Sequence, residues 1–115
     1  MISVIENPRA GSGFDVLHIF EGWKVAFITY ADQYAEAKEL KRHLYTDEAF
    51  SLVLGEATMF TLDERGELFM ITMERGKLYN VECGTWHHIK VSADALVIVV
   101  ENSTTDKGAT EIMTL

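Results

Sequence analysis

The sequence predicts an all-β domain, a sandwich or barrel, and three observations carry that expectation. From Glu39 onward, short segments rich in β-branched and aromatic residues recur about every ten residues. Turn-forming groups separate them: Asp63-Glu64-Arg65-Gly66, Arg75-Gly76 and Ser92-Ala93-Asp94. Helical spacing is confined to Ala31 to Leu40, where Tyr34, Ala37 and Leu40 recur with Glu and Lys between them. That stretch reads either as one short helix or as a loop running into a strand.

The elements follow in order. Ile2 to Ile5 is expected as an edge strand, followed by a turn-rich loop, Asn7-Pro8-Arg9-Ala10-Gly11-Ser12-Gly13. Phe14 to Phe20 and Trp23 to Tyr30 flank Glu21-Gly22 as a hairpin. Further strands are expected at Phe50 to Leu54, Ala57 to Leu62, Leu68 to Met73, Leu78 to Val81, Trp86 to Val91 and Ala95 to Glu101. Asn102 to Thr110 reads as a polar loop, and Glu111 to Leu115 as a terminal strand. At 115 residues and 13.0 kDa this is one domain, residues 1–115, large enough for a core without disulfides.

Charge narrows the partners. A net charge of −8 and a pI near 4.9, with no basic cluster longer than Lys41-Arg42, argue against nucleic acid, whose phosphates demand a basic face. The longest apolar run, Ala95 to Val100, is far below the roughly 18 residues of a membrane span, so no membrane partner is expected. Met1 to Glu6 lacks the basic start and apolar core of a signal peptide. Cys83, the one cysteine, forms no internal disulfide, and a cytoplasmic location is expected. Cys83 reads as a small residue beside a glycine turn, with catalytic use as the alternative.

Two polar clusters stand out. In the first, Lys41 and His43 share one strand face, while Glu48, Phe50, Leu52 and Leu54 share another out of phase with it. A turn or bulge between His43 and Glu48 would bring the two together. The second runs from Gly76 to His88. There His87, Ile89 and Val91 alternate with Trp86, His88 and Lys90, so at most one of the paired histidines points into a core. His88 and His18 read as surface or interface residues, and Met59, Met70 and Met73 as core filler.

These residues resemble the two motifs of the cupin superfamily. Gly76, five residues, Glu82, one residue, Gly84, two residues and His87 follow the second motif, with Glu82 at the usual Pro and Val91 at the usual Asn. His43, four residues, Glu48, six residues and Gly55 follow the first, with Lys41 where the first histidine usually stands. The resemblance spans roughly Lys41 to Asn102. It implies a small double-stranded β-helix, or jelly-roll barrel, of the RmlC-like, sugar-epimerase-like single-domain type. It further implies a pocket in the barrel mouth in which His43, Glu48 and His87 are ligands for Fe, Mn, Ni or Zn, and the same three are candidate acid/base groups.

Several readings of the pocket stand side by side. Lys41 would repel a cation and could instead pair with Glu48, leaving His43 and His87 to orient a neutral ligand without metal. Alternatively a triad of two histidines and one carboxylate holds a first-row metal. Lys41, Tyr45 and Trp86 are the candidate substrate contacts; Tyr45 also fits a turn cap, and Trp86 a core or interface aromatic. The expected functions are a small-molecule enzyme of isomerase, lyase or dioxygenase type, or a metal-free metabolite-binding module. A structural sandwich would leave His43, Glu48 and His87 apart. A homodimer is expected, because members of the family commonly pair through edge strands.

Overall fold

Strand alternation decides which side chains meet. The computed structural model describes residues 1–7, 12–104 and 110–115. Among these residues the strands are β1 (Phe14–Phe20), β2 (Trp23–Thr29), β3 (Glu39–His43), β4 (Glu48–Leu54), β5 (Ala57–Leu62), β6 (Leu68–Thr72), β7 (Tyr79–Val81), β8 (His87–Val91), β9 (Leu96–Asn102) and β10 (Thr110–Thr114). They form two five-stranded antiparallel sheets, ordered β1-β2-β9-β4-β7 and β10-β3-β8-β5-β6. Consecutive strands repeatedly belong to different sheets, so the two layers are wound together as a jelly roll.

The inward faces supply the core. Ala26 and Ile28 of β2, Phe50 and Leu52 of β4, Met59 of β5, Ile89 and Val91 of β8, and Val97 and Val99 of β9 form one buried cluster. Each strand contributes residues two apart, the period of a pleated face. Met59 and Met73 join this core as expected, whereas Met70 is exposed on edge strand β6.

The hairpin around Glu21-Gly22 and the turns at Asp63 and Gly76 form as the sequence predicts. Asp63 Oδ1 accepts hydrogen bonds from the Arg65 and Glu67 amides, and Gly66 takes φ 77°. Other expectations are corrected. Ile2 to Ile5 carries no strand, and its apolar side chains are exposed. The loops expected at 8–11 and 105–109 lie outside the described residues.

Ala31 to Leu40 is not a helix. It holds one 3₁₀ turn, Asp32–Tyr34, then runs as a loop into β3. This stretch must carry the chain from the sheet containing β2 to the sheet containing β3, and Leu40 is fully buried in β3 opposite Met113. Strand pairing overrides the local helix preference. The turn is pinned to β8 by His88, whose Nε2–H donates to the Gln33 carbonyl at 3.2 Å and whose ring lies 6.2 Å from that of Tyr34. His88, expected as a surface or interface residue, is instead buried against this turn of its own chain.

These contacts set two expected outcomes. Gly55, at the β4–β5 corner, has φ 72°, and a Cβ there would sit 2.7 Å from the Ala95 Cα. Gly76 has φ 84° but open space around it. Gly55→Ala should cost more than about 2 kcal/mol in denaturant unfolding, and Gly76→Ala only about 1 kcal/mol, the left-handed backbone strain alone; equal costs would remove the close approach. Burial pushes the His88 imidazole below its ordinary value near 6.5, against the opposing pull of the Gln33 carbonyl. The unfolded chain then takes up this proton more readily, so stability is lost as pH falls below about 6.5. The Tm drop between pH 7 and pH 5 should be smaller in His88→Gln, and equal drops would assign that sensitivity to other groups.

Candidate metal centre and its cavity

The two polar clusters of the sequence meet because their turns are tied together. Asp47, between β3 and β4, accepts from the Cys83 amide at 2.8 Å and from Asn80 Nδ2 at 3.0 Å. The Gly84 amide donates to the His43 carbonyl at 2.8 Å, and the Cys83 thiol donates to the Leu44 carbonyl at 2.8 Å. The bonds from Asn80 and from the Cys83 amide lower the Asp47 carboxyl below the ordinary carboxylate value, with Asn80 contributing most. Cys83 is exposed and serves this junction, in line with the structural reading of that residue.

Across the junction β3 ends on His43, β4 begins on Glu48, and β8 begins on His87. All three side chains are buried. Glu48 Oε1 lies 2.9 Å from His87 Nε2 and 3.5 Å from His43 Nε2. The far sides of both rings are also engaged: His87 Nδ1 donates to the Thr85 carbonyl at 2.9 Å, and His43 Nδ1 meets Thr110 Oγ1 at 2.9 Å. The His43 and His87 rings stand edge to face with centroids 5.5 Å apart.

The electrostatics follow from this packing. Burial opposes ionisation of Glu48, but hydrogen bonds from His43, His87 and Glu101, together with the field of His87, outweigh it. Its carboxyl is held well below the ordinary carboxylate range. Since a carbonyl only accepts, His87 Nδ1 carries a proton. A neutral ring would then aim the Nε2 lone pair at an ionised carboxylate. The 2.9 Å contact is favourable only with a second proton on that ring or with a cation in the proton's place.

The donor set fits a divalent first-row cation. Two imidazoles and one carboxylate form the combination such ions favour, and their ligand atoms all lie within 4.8 Å of one another. Donors about 2.1 Å from a shared ion stand roughly 3 to 3.4 Å apart, close to the separations from Glu48 observed here. The outward hydrogen bonds of both histidines fix ring orientation, as partners of metal-binding histidines do.

Beside the triad lies a cavity of about 580 Å³, bordered among others by Phe14, Tyr34, Lys41, Phe50 and His88. Lys41 thus reaches the cavity, but it pairs with Glu39 at 3.9 Å; among the described residues the expected ion pair with Glu48 does not form, because two histidines already occupy that carboxylate. Tyr45 and Trp86 are not among the residues bordering the cavity. Tyr45 is 84% exposed on the turn before β4, and the Trp86 ring carries the Arg42 guanidinium 4.5 Å above it.

Sequence reasoning missed a second charged group. Lys24, Glu101 and Glu48 are cross-strand neighbours on β2, β9 and β4, on the same inward faces as Ala26, Val99 and Phe50. Lys24 Nζ lies 3.5 Å from Glu101 Oε1, and both are buried. The signal was parity: Lys24 is in phase with Ala26 and Ile28, and Glu101 with Val97 and Val99.

No protein-family model matches the sequence, and no curated protein does either. Solved structures do match. A cupin-2 domain protein from Shewanella frigidimarina aligns with TM-score 0.60 and 17% identity over 82% of this chain and 83% of its own. A Streptomyces PAC13 variant with uridine aligns with TM-score 0.67 and 11% identity, covering 91% of this chain and 81% of that one. Bacillus subtilis oxalate decarboxylase, studied for its Mn(II) centres, gives TM-score 0.56 and 16% identity over 83% of this chain. The present chain covers 24% of the length of that enzyme. Two interwoven five-stranded sheets, the motif glycine at the β4–β5 corner and these alignments together establish that the chain is a small domain of the cupin fold.

Proposed function

We propose that this domain binds a divalent metal through His43, Glu48 and His87 and uses the adjoining cavity for a small molecule, as an enzyme of isomerase, lyase or dioxygenase type. The observation that carries the reading is the convergence of three buried donors from three strands at the edge of a cavity of small-molecule size. Fe, Mn, Ni and Zn all suit the donors, and the Mn(II) centres of the structurally similar oxalate decarboxylase support Mn among them. PAC13, similar in fold and seen with uridine, supports a small polar metabolite as the occupant.

A bound ion would polarise a carbonyl or hydroxyl oxygen of the substrate. The chain's own groups set the surroundings. Thr85 and Thr110 hold the imidazoles in orientation, Phe50 packs against the edge of His87, and Lys41 offers a cation at the cavity border for an anionic group. The second reading, a metal-free binding module, is favoured by one observation. Lys41 stands where the family's fourth ligand would be, and Glu48 is already satisfied by the two histidines.

Elemental analysis of the untagged protein separates the two readings. Near one metal per chain is expected. Added Mn(II) or Zn(II) at a hundredfold excess over Kd should raise Tm on the order of 10 °C. Glu48→Gln and His87→Ala should lose that increment, while a wild-type protein unmoved by any of the four metals would leave the metal-free reading. The expected homodimer is supported by edge strand β6, where Leu68, Phe69, Met70 and Ile71 are all exposed. Light scattering should return twice the 13.0 kDa chain mass, and a value near 13.0 kDa would reject it.

A further inference from the structure

The row Lys24, Glu101, Glu48 has no part in the core's packing logic. Along each of the three strands the inward neighbours are apolar, Ala26 and Ile28, Val97 and Val99, Phe50 and Leu52, and charge enters only at this one level. Burying a lysine beside two carboxyl groups is a poor device for stability, because the cost of removing such groups from water is about what their mutual attraction returns. A pair of apolar residues would serve the barrel as well. What this pair adds is a neighbour for Glu48. Glu101 lies directly across from it on β9 and is the hydrogen-bond donor of the two carboxyls, Glu48 the acceptor, while the other side of Glu101 faces Lys24, with Nζ 3.5 Å from Oε1.

We propose that Glu101, anchored by Lys24, is a positioning residue for the triad, holding the Glu48 carboxylate so that one oxygen, Oε1, faces both His43 and His87. The distances agree with that role, since the same oxygen lies 2.9 and 3.5 Å from the two imidazole nitrogens. A carboxylate braced from behind presents a single donor, which leaves the remaining coordination positions open toward the cavity. Glu101 itself borders that cavity. Outer partners of this kind commonly change metal affinity by about 10- to 100-fold when removed. The assignment rests on the metal reading of His43, Glu48 and His87.

The test uses Mn(II) and Co(II) titrations of the full chain, with the Co(II) absorption spectrum as the report on coordination. Replacing the whole pair, Lys24→Met with Glu101→Leu, removes the brace without stranding a buried charge. Metal affinity should fall about 10- to 100-fold and the Co(II) bands should shift, while melting stays cooperative. Glu101→Asp keeps a carboxyl for Lys24 but shortens the reach toward Glu48, and should lose about tenfold. Glu101→Gln retains a donor of the same length and should remain within about threefold of wild type, a rescue that a merely structural role would not produce. Unchanged affinity and spectrum in Glu101→Asp, or in a cooperatively folding double variant, would overturn the assignment while leaving the triad intact. A wild-type protein that takes up neither metal would overturn the triad first, and this role with it.

Discussion

The burial of the Glu48 carboxylate is the constraint on which the rest of the structure depends. An ionised carboxylate away from water must be matched by donors or cations from its surroundings, or it takes up a proton. Here the match comes from strands remote in sequence: His43 closes β3, His87 opens β8, and Glu101 stands across the ladder on β9. Each requires its strand in one register, since a slip of one residue would turn the side chain to the other face. The register of both sheets and the chemistry of the site are therefore one requirement.

That requirement is met by a hydrogen-bonded junction between loops. The Asp47 side chain, the His43 carbonyl and the Leu44 carbonyl all engage the segment from Asn80 to Gly84. None of these groups is one of the triad's imidazoles or its carboxylate, yet together they set the distance between the end of β3 and the start of β8. A buried charged cluster supported in this way is specified by polar bonds at its rim and by apolar packing beneath it, where Phe50 and Ile89 continue the faces of Glu48 and His87 into the core.

Much of this was legible in the sequence because it depends on parity and turn chemistry. The odd separation of His43 and Glu48 demanded a turn, and the glycines at 55, 76 and 84 marked corners that the structure builds with positive φ. What was not legible depended on the second layer. Ala31 to Leu40 has helical spacing, but its path is set by the need to cross between sheets. Lys41 looked free to reach Glu48, but the two histidines had already claimed that oxygen, and Glu39 lay nearer. Trp86, an aromatic beside a histidine, suggested a ligand platform; a cross-strand arginine from β3 covers it instead. His88 showed its role only once the 3₁₀ turn folded over β8 and offered the Gln33 carbonyl.

The segment between β2 and β3 carries a wider consequence. It contributes Asp32, Gln33, Tyr34, Glu36 and Lys38 to the cavity border, yet apart from the single turn it belongs to no regular element. The three buried donors sit on the barrel strands, whereas much of the cavity wall sits on this connection. Substitutions there change the shape and polarity of the entrance without touching strand register or the buried carboxylate. The domain thus divides its labour between a fixed floor of buried donors and a replaceable rim, an arrangement in which the mouth of the cavity can be reshaped without refolding the barrel.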